Sequence, residues 1–295
     1  PIISSPINNF TSTSTSITFS GTAEAGAIIT NNFSSVTTSA ASDGAWSLNL
    51  SGLLQGTTTI SFFATDASGN RSSAAIKDVS IDTDIPDVSI SLNECSQSLS
   101  AENCLLAKPD ITIKWSSASS DLKKYSVSCV VGGNACSGFP NLSSTTATST
   151  SYTLPSENSS YIFKVIATDQ NGNQSQEKTA SAKFMARPLV INEIAWAGTS
   201  AAKSGDEWIE LYNNSSENLN LANINLVSET DNQPNISLTG SLPARAYYLI
   251  ASNSSVFSDI TASTTASFGN GLSNSGEVLS LKSGATVLDK TPPVG

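Results

Sequence analysis

The sequence predicts an all-β protein composed of tandem two-sheet domains. Charged residues make up only 13% of the 295 residues, whereas Ser, Thr and Asn are abundant, a composition that suits short strands joined by polar turns. Segments that alternate apolar and polar residues recur along the chain, and no stretch longer than about ten residues has helical periodicity. A strand–turn–strand unit also occurs twice. Together these observations favour sheets over helices.

The repeated unit is carried by the segments TISFFATDASGNRS (59–72) and YIFKVIATDQNGNQS (161–175). Both contain the pattern A-T-D-x-x-G-N-x-S, in which an alternating apolar run leads into a Gly-Asn turn and then into another strand-like segment. The copies are about a hundred residues apart, which is the size of an immunoglobulin-type sandwich. The repeat therefore predicts two tandem sandwich domains.

The first domain is predicted over residues 1–84, with strands in SITFSGTA, GAIITNN, AWSLNL and TTTISFFATD. Gly, Ser and Asp-Gly turns separate these segments. The N-terminal segment PIISSPINNF is either the first strand of this domain or a strand donated to another copy. The run from GTAEAGAIIT to VSID resembles a bacterial Ig-like module of the kind found in surface adhesins.

The second domain is predicted over residues 85–187, with strands in DITIKWSS, KKYSVSCVV and YIFKVIATD. These segments are similar to a fibronectin type III domain, and Trp115 and Tyr125 stand where that family packs its core. We expect both side chains, and Trp46 of the first domain, to be buried.

Four cysteines, Cys95, Cys104, Cys129 and Cys136, all lie in the second domain. None forms a C-x-x-C pair, which makes a zinc or thioredoxin-like site a poor interpretation. The favoured pairing is Cys95–Cys104 and Cys129–Cys136, since each bridge closes a short loop. The alternative is four free thiols in a cytosolic protein. Bridged cysteines indicate an oxidising compartment and hence an extracellular protein.

The third domain is predicted over residues 188–295, with strands in LVINEIAW, EWIELY, INLVS, AYYLIAS and EVLSLKSGATVLD. A period of two in the first of these places alternate residues on opposite faces: Val190, Asn192, Ile194 and Trp196 on one, and Leu189, Ile191, Glu193 and Ala195 on the other. The same rule groups Trp208, Glu210 and Tyr212 against Glu207, Ile209 and Leu211.

This domain resembles the lamin tail domain, an immunoglobulin-like sandwich, over residues 189–289. The resemblance is carried by INEIAW, DEWIELYNNSS, LNLANINL, AYYLIAS and LSNSGEVLSLKSGATVLD. Two departures are ANINL, where the family often has Gly-Trp, and a closing strand that is short or absent after Asp289. The resemblance implies a binding and scaffolding fold without an active site. The predicted fold class is thus three tandem immunoglobulin-like β-sandwiches, which short Pro-containing linkers join in an elongated arrangement.

Acidic residues cluster around Pro86 at the first domain boundary. Asp82, Asp84 and Asp87 offer the oxygen ligands that Ca²⁺ prefers, and Asp66 adds another if its turn lies at the same end. The sequence therefore predicts a calcium site here and no other cofactor. The alternative interpretation is an acidic, solvated linker.

A catalytic centre is not expected. The chain contains no histidine, which excludes Ser-His and Cys-His catalysis and His-ligated zinc. Glu193 and Glu210 would reach a glycosidase-like separation if their strands were neighbours, but no aromatic-lined cleft accompanies them in the sequence. Asp206 and Glu207, in the intervening loop, are better candidates for binding a surface cation.

The predicted function is that of a non-enzymatic extracellular protein of a bacterial surface, structural or adhesive, such as a subunit of a surface layer or filament. The expected partners are other copies of the chain or cell-surface ligands. A net charge of −10 disfavours nucleic acid, and no apolar run is long enough for membrane insertion. The alternatives are an accessory region of a larger secreted enzyme, such as a hydrolase or nuclease, and an array of carbohydrate-binding modules. Only 7% aromatic residues makes the last the weakest.

Overall fold

The computed structural model describes residues 1–94, 104–198, 200 and 203–292. These residues form strands and turns and contain no α-helix, as predicted for an all-β protein of tandem sandwiches. No helix long and apolar enough to cross a membrane occurs among them. The chain divides into two compact units. The predicted domain ranges 1–84, 85–187 and 188–295 stay predictions.

The first unit consists of Pro1–Val88, Ser117–Tyr125 and Ile166–Gln176. Its strands are β1 (Ile2–Ser5), β2 (Phe10–Ser12), β3 (Ile17–Thr22), β4 (Ile28–Asn31), β5 (Thr38–Ser39), β6 (Ala45–Leu50), β7 (Gly56–Thr65) and β8 (Ala75–Ile81). They form two sheets in the orders β1-β3-β6 and β2-β8-β7-β4-β5. The N-terminal segment supplies β1, antiparallel to β3, and β2, parallel to β8, so it completes its own module.

Alternation decides what the first unit buries. In β6 the residues Trp46, Leu48 and Leu50 are buried and the intervening ones are exposed. Trp46 lies 5.4 Å from Phe62 between ring centroids, and Phe62 lies 5.0 Å from Phe19. This aromatic cluster packs the two sheets together and confirms the predicted burial of Trp46.

The second unit consists of Ser89–Ser116, Ser126–Val165 and Glu177–Gly295. Its first strands are β9 (Ser89–Leu92), β10 (Cys104–Leu106), β11 (Asp110–Ser116), β12 (Leu122–Val131), β13 (Asn134–Ala135), β14 (Leu142–Thr145), β15 (Ser149–Thr153), β16 (Ser160–Asp169) and β17 (Lys178–Phe184). The sheet orders are β15-β11-β9 and β10-β17-β16-β12-β13, with β14 also paired to β12. The first four residues of β12 and the last four of β16 belong to the first unit.

The buried positions of these strands agree with the sequence prediction. Trp115 and Tyr125 are both buried, and the indole Nε1 of Trp115 donates to the Ala147 carbonyl at 2.8 Å. Cys129 and Cys136 form a disulfide, as predicted. Cys95 lies outside the described residues, so the Cys95–Cys104 pairing stays a prediction.

The remaining strands of the second unit are β18 (Leu189–Ala195), β19 (Trp208–Asn213), β20 (Leu219–Asn220), β21 (Ile224–Ser228), β22 (Asn235–Ser237), β23 (Ser241–Leu242), β24 (Tyr247–Ala251), β25 (Thr264–Thr265), β26 (Leu279–Ser283) and β27 (Thr286–Lys290). They form the sheets β18-β19-β24-β25 and β22-β21-β26-β27 and the small pair β20-β23. Ile209 and Leu211 on β19 and Leu279 and Leu281 on β26 are among the fully packed core residues. The last described strand, β27, is the predicted ATVLD segment and pairs with β26. The described residues after it, 291 and 292, are not in a strand.

One predicted alternation in β18 is wrong. A bulge between Ile191 and Glu193 leaves Asn192 without a cross-strand partner, so the residues after it change face. Glu193 then lies opposite Glu210 on the outer face, while Ile194 lies opposite Ile209 on the core side. A single inserted residue in a strand shifts a period-2 pattern by one position, and no periodicity argument detects it. The alternation predicted for β19 is confirmed by its burial pattern.

Candidate functional site

The turn of the second repeat copy holds a buried carboxylate. The Oδ1 atom of Asp169 accepts hydrogen bonds from the backbone N–H groups of Asn171, Gly172 and Asn173 at 2.9, 2.7 and 2.8 Å. Its Oδ2 atom accepts another from Asn173 Nδ2 at 2.8 Å. Gly172 has a φ of +99°, a conformation that favours glycine. The motif residues therefore form a turn that positions Asp169, which is 1% exposed.

The same turn binds the linker that follows β8. Asn171 Nδ2 donates to the Oδ2 atom of Asp82 at 2.6 Å, and Asn173 Nδ2 donates to the Asp82 carbonyl at 2.9 Å. Gln55 Nε2 donates to Asp82 Oδ1 at 3.0 Å. The hydrogen bonds from Gln55 and then Asn171 lower the pKa of Asp82, because they stabilise its charged form. Asp82 is thus held as a carboxylate at the junction.

Three carboxylates meet at this junction within the described part of the chain. Asp82, Asp121 and Asp169 each offer one oxygen, and these three oxygens lie within 4.8 Å of one another. Carboxylate oxygens are ligands for hard cations, and Ca²⁺ takes about six to eight oxygen ligands in total, carbonyl and water oxygens included. The three residues fit part of such a shell, with backbone carbonyls or water left to supply the rest.

The cluster contains only one of the residues that the sequence predicts as calcium ligands, and the predicted calcium site stays a prediction. Asp82 is in the cluster, but Asp84, Asp87 and Asp66 are not. Asp87 Oδ1 instead accepts hydrogen bonds from Ser117 Oγ, Ala118 N and Ser119 Oγ at 2.9 to 3.1 Å. Asp84 Oδ2 accepts one from Gln55 Nε2 at 3.2 Å.

Asp66 serves its own turn. Its Oδ1 accepts hydrogen bonds from the backbone N–H groups of Ser68 and Asn70. Asp121 and Asp169 were missed by the sequence argument. The repeat carries the signal for Asp169, since this residue occupies in the second copy the position that Asp66 occupies in the first.

The glutamates of the third predicted domain do not form a catalytic pair in a cleft. Glu193 and Glu210 lie directly opposite each other in the β18–β19 register, on the outer face of the sheet. Asn192 Nδ2 donates to Glu210 Oε1 at 2.7 Å. Like charges in a directly opposed pair repel each other, and the amide of the bulge residue partly offsets this repulsion.

Asp206 and Glu207 are buried, so the prediction that they bind a cation at the surface is wrong. They are 8% and 5% exposed. Lys203 Nζ lies 3.5 Å from Asp206 Oδ2, and both carboxylate oxygens of Glu207 accept from Leu272 N, at 3.0 and 2.9 Å. Burial raises the pKa of Glu207. The loop around residue 272, distant in sequence, covers Glu207, and no local pattern indicates this contact.

Comparison with known proteins identifies one part of the chain. Residues 182–291 match the family described as Lamin Tail Domain, which confirms the resemblance of this region to that immunoglobulin-like fold. No curated protein matches the chain.

Solved structures of fibronectin-type modules are also similar. The fibronectin(III)-like modules of Clostridium thermocellum CbhA align with 14% identity and a TM-score of 0.34, over 62% of this chain and 92% of that one. The FN1-FN3 domains of chicken CNTN1 align with 13% identity and a TM-score of 0.30, over 62% of this chain and 64% of that one. The family match covers residues 182–291 alone, and the other strands of the described chain also form sheets of the kind that two-sheet β modules contain.

Proposed function

We propose that this chain is a non-enzymatic extracellular protein of a bacterial surface that acts as a structural or adhesive component. The main support is the hydrogen-bonded first linker. A flexible tether needs no specific contacts, whereas Asp82 and Asp87 are both bound by residues that follow much later in the chain. These contacts lie within one compact unit and hold residues 82–87 in a fixed conformation, as a structural component requires.

Two further observations support an extracellular location. Cys129 and Cys136 form a disulfide, and disulfides persist mainly in oxidising compartments. The polar, low-charge strands suit a surface exposed to solvent on both sheets. The proposed binding partners are other copies of the chain or ligands on a cell surface.

The location is tested on intact cells of the source organism. We expect antibodies against the chain to label unpermeabilised cells and external protease to remove the signal. A signal that appears only after lysis would contradict the proposal, and an antibody against a cytoplasmic protein is the control.

Assembly is tested by negative-stain microscopy of the purified chain. We expect ordered polymers, formed by pairing between edge strands. Strand β6 is an edge of its sheet, and Ser47 is one of its exposed residues. Ser47→Lys is expected to shorten polymers that use this edge, whereas Thr18→Lys, on the central strand β3, is the matched control. A chain that stays monomeric at high concentration would leave adhesion as the role.

A further inference from the structure

A cavity opens at one end of the lamin-tail region. Its volume is about 800 Å³, and it lies between the end of β18, the start of β19, the residues after β24 and the loop that follows β25. Trp196 and Glu207 line one side and Phe268 and Leu272 line another. The cavity therefore extends the interior of the sandwich toward solvent.

Strand register explains why Trp196 and Glu207 face this cavity. Ala195 pairs with Trp208 on the outer face, and Ile194 pairs with Ile209 on the core side. Trp196 and Glu207 continue the core-facing series, two residues beyond Ile194 and two before Ile209. Aliphatic residues would close the sandwich here. Instead, the positions hold an indole that is 53% exposed and a carboxylate that is buried.

Both side chains are unfavourable for the isolated fold. An exposed indole leaves apolar surface in water, and a buried carboxylate loses hydration. The carboxylate of Glu207 accepts hydrogen bonds only from Leu272 N among the described residues, and burial followed by the nearby charge of Glu277 raises the pKa of Glu207. The Oε1 atom of Glu277 is also buried and has no hydrogen-bond partner within the described part. Acceptors thus outnumber donors around Glu207.

The loop over Glu207 is built for close approach. Gly271 has a φ of +91°, and a Cβ atom there would lie 3.1 Å from Glu207 Oε1. Any larger residue would crowd the carboxylate and strain the backbone. The backbone of this loop therefore packs directly against Glu207, which also lines the cavity.

The rest of the lining is neutral and polar. The residues that line the cavity include Ser204, Ser254, Asn270 and Asn274. Amides and hydroxyls both donate and accept. No Lys or Arg is among the described lining residues, so the cavity is unsuited to phosphate or other anions. A ligand that matches it has a flat C–H face for the indole and several hydroxyl donors.

We propose that this cavity binds a neutral saccharide, with one sugar ring stacked on Trp196 and its hydroxyl groups donating hydrogen bonds to Glu207. Asn270 and Asn274 bind further hydroxyls at the rim. The site adds a ligand class to the chain and does not depend on where the protein resides, because binding is a property of the purified molecule.

The test is titration of the full purified chain with cello-, malto-, xylo-, manno- and chito-oligosaccharides. Isothermal calorimetry measures the affinity. The chain has four tryptophans, so the ligand-induced change in emission that is lost in Trp196→Ala reports on Trp196. We expect at least one series to bind. Trp196→Ala should weaken that binding at least about tenfold, since stacking on an aromatic ring supplies much of the contact, and Glu207→Gln should weaken it severalfold.

Two variants keep the test decisive if Glu207→Gln fails to fold. Asn274 is exposed, so Asn274→Ala should fold normally and reduce affinity severalfold. Tyr247 is 56% exposed and lies opposite Tyr212 on the outer face of the sheet, so Tyr247→Ala is the matched aromatic control and should bind like the wild type. Failure of all five series to bind, or wild-type affinity in Trp196→Ala, would overturn the proposal.

Discussion

The two copies of the A-T-D-x-x-G-N-x-S turn share most of their internal hydrogen bonds. Asp66 accepts from Asn70 N and Asn70 Nδ2 at 2.8 Å each, and Asp169 accepts the corresponding pair from Asn173. The final serine of each copy also accepts from the alanine two residues before the aspartate, at 3.0 Å in the first and 2.9 Å in the second. The motif thus encodes one turn, independent of its surroundings.

The surroundings of the two turns differ. Residues 67–70 of the first turn are exposed, and Asp66 has no role beyond its own turn among the described hydrogen bonds. Asp169 is buried and its turn binds Asp82. The motif therefore forms a turn in both copies, and in the second copy the turn also binds the adjacent linker.

The largest expected loss of stability follows from replacing Asp169. Asp169→Ala removes the acceptor of three backbone N–H groups near the core and should lower the free energy of unfolding by about 3 kcal/mol. Asp66→Ala, its counterpart in the exposed turn, should have a clearly smaller effect. Urea unfolding measures both. Equal losses would show that burial at the second turn adds nothing.

Replacing the final serine of each copy should also lower stability more in the second copy than in the first, but by smaller amounts. Ser175→Ala leaves the buried N–H of Ala167 without an acceptor and should cost about 1.5 kcal/mol. Ser72→Ala should cost about 0.5 kcal/mol, because water can replace the hydroxyl at the more exposed turn. Calorimetric melting of the two variants measures the difference. A larger loss of stability in Ser72→Ala than in Ser175→Ala would contradict this expectation.

Asn171 isolates the junction from the turn, since its side chain bonds Asp82 and not Asp169. Asn171→Ala should lower stability by about 0.5 kcal/mol, the usual size for an exposed, charged hydrogen bond. Ser68 occupies the corresponding position in the first copy, so Ser68→Ala should be neutral. If both variants melt like the wild type, the contact with Asp82 does not stabilise the linker.

The stability that the Asn171 side chain contributes should be lost in acid. The folded-state pKa of Asp82 lies below 3.8 because Gln55 and Asn171 stabilise its carboxylate. The stabilisation is therefore present above pH 3.8 and is lost as the pH falls through the lower folded-state pKa. The stability difference between the wild type and Asn171→Ala should be full at neutral pH and should shrink as the pH falls below 3.8. A difference that persists in acid would mean that Asp82 does not contribute through its charge.

Added Ca²⁺ should cause the smallest change in the free energy of unfolding. If Asp82, Asp121 and Asp169 bind Ca²⁺ with a dissociation constant of about 1 mM, a value typical of weak extracellular sites, 1 mM Ca²⁺ adds about 0.4 kcal/mol. The added stability should disappear with EDTA and in Asp121→Asn. Asp43→Asn, at an exposed turn of the first unit, is the control. Equal responses to Ca²⁺ in both variants would exclude the cluster as the site.

Much of the fold was predictable because it depends on near neighbours in sequence. Alternation identified β6, β11 and β19, and the short separation of Cys129 and Cys136 identified their disulfide. Trp46, Trp115 and Tyr125 are buried, as expected for Trp115 and Tyr125 from the resemblance of their strands to a fibronectin type III domain. The INEI and DEWIELYN segments identified the lamin-tail region, which the family match confirms.

The candidate sites were less predictable because they join distant residues. The carboxylates of Asp82, Asp121 and Asp169 meet although about ninety residues of chain separate the first from the last, and only the repeat points to one of them. The bulge at Asn192 changes which glutamates share a face. The loop that buries Glu207 comes from residues 271 and 272, and nothing near Glu207 in the sequence marks it.

The sequence by itself determined the strands, the turns and the chemistry of each module, because pleat periodicity and turn hydrogen bonds act over a few residues. Tertiary structure alone decided which copy of the turn contacts the linker and which end of a sandwich stays open as a cavity. Those outcomes depend on where loops from distant parts of the chain meet, and burial of a carboxylate is set by that meeting and not by its neighbours in sequence.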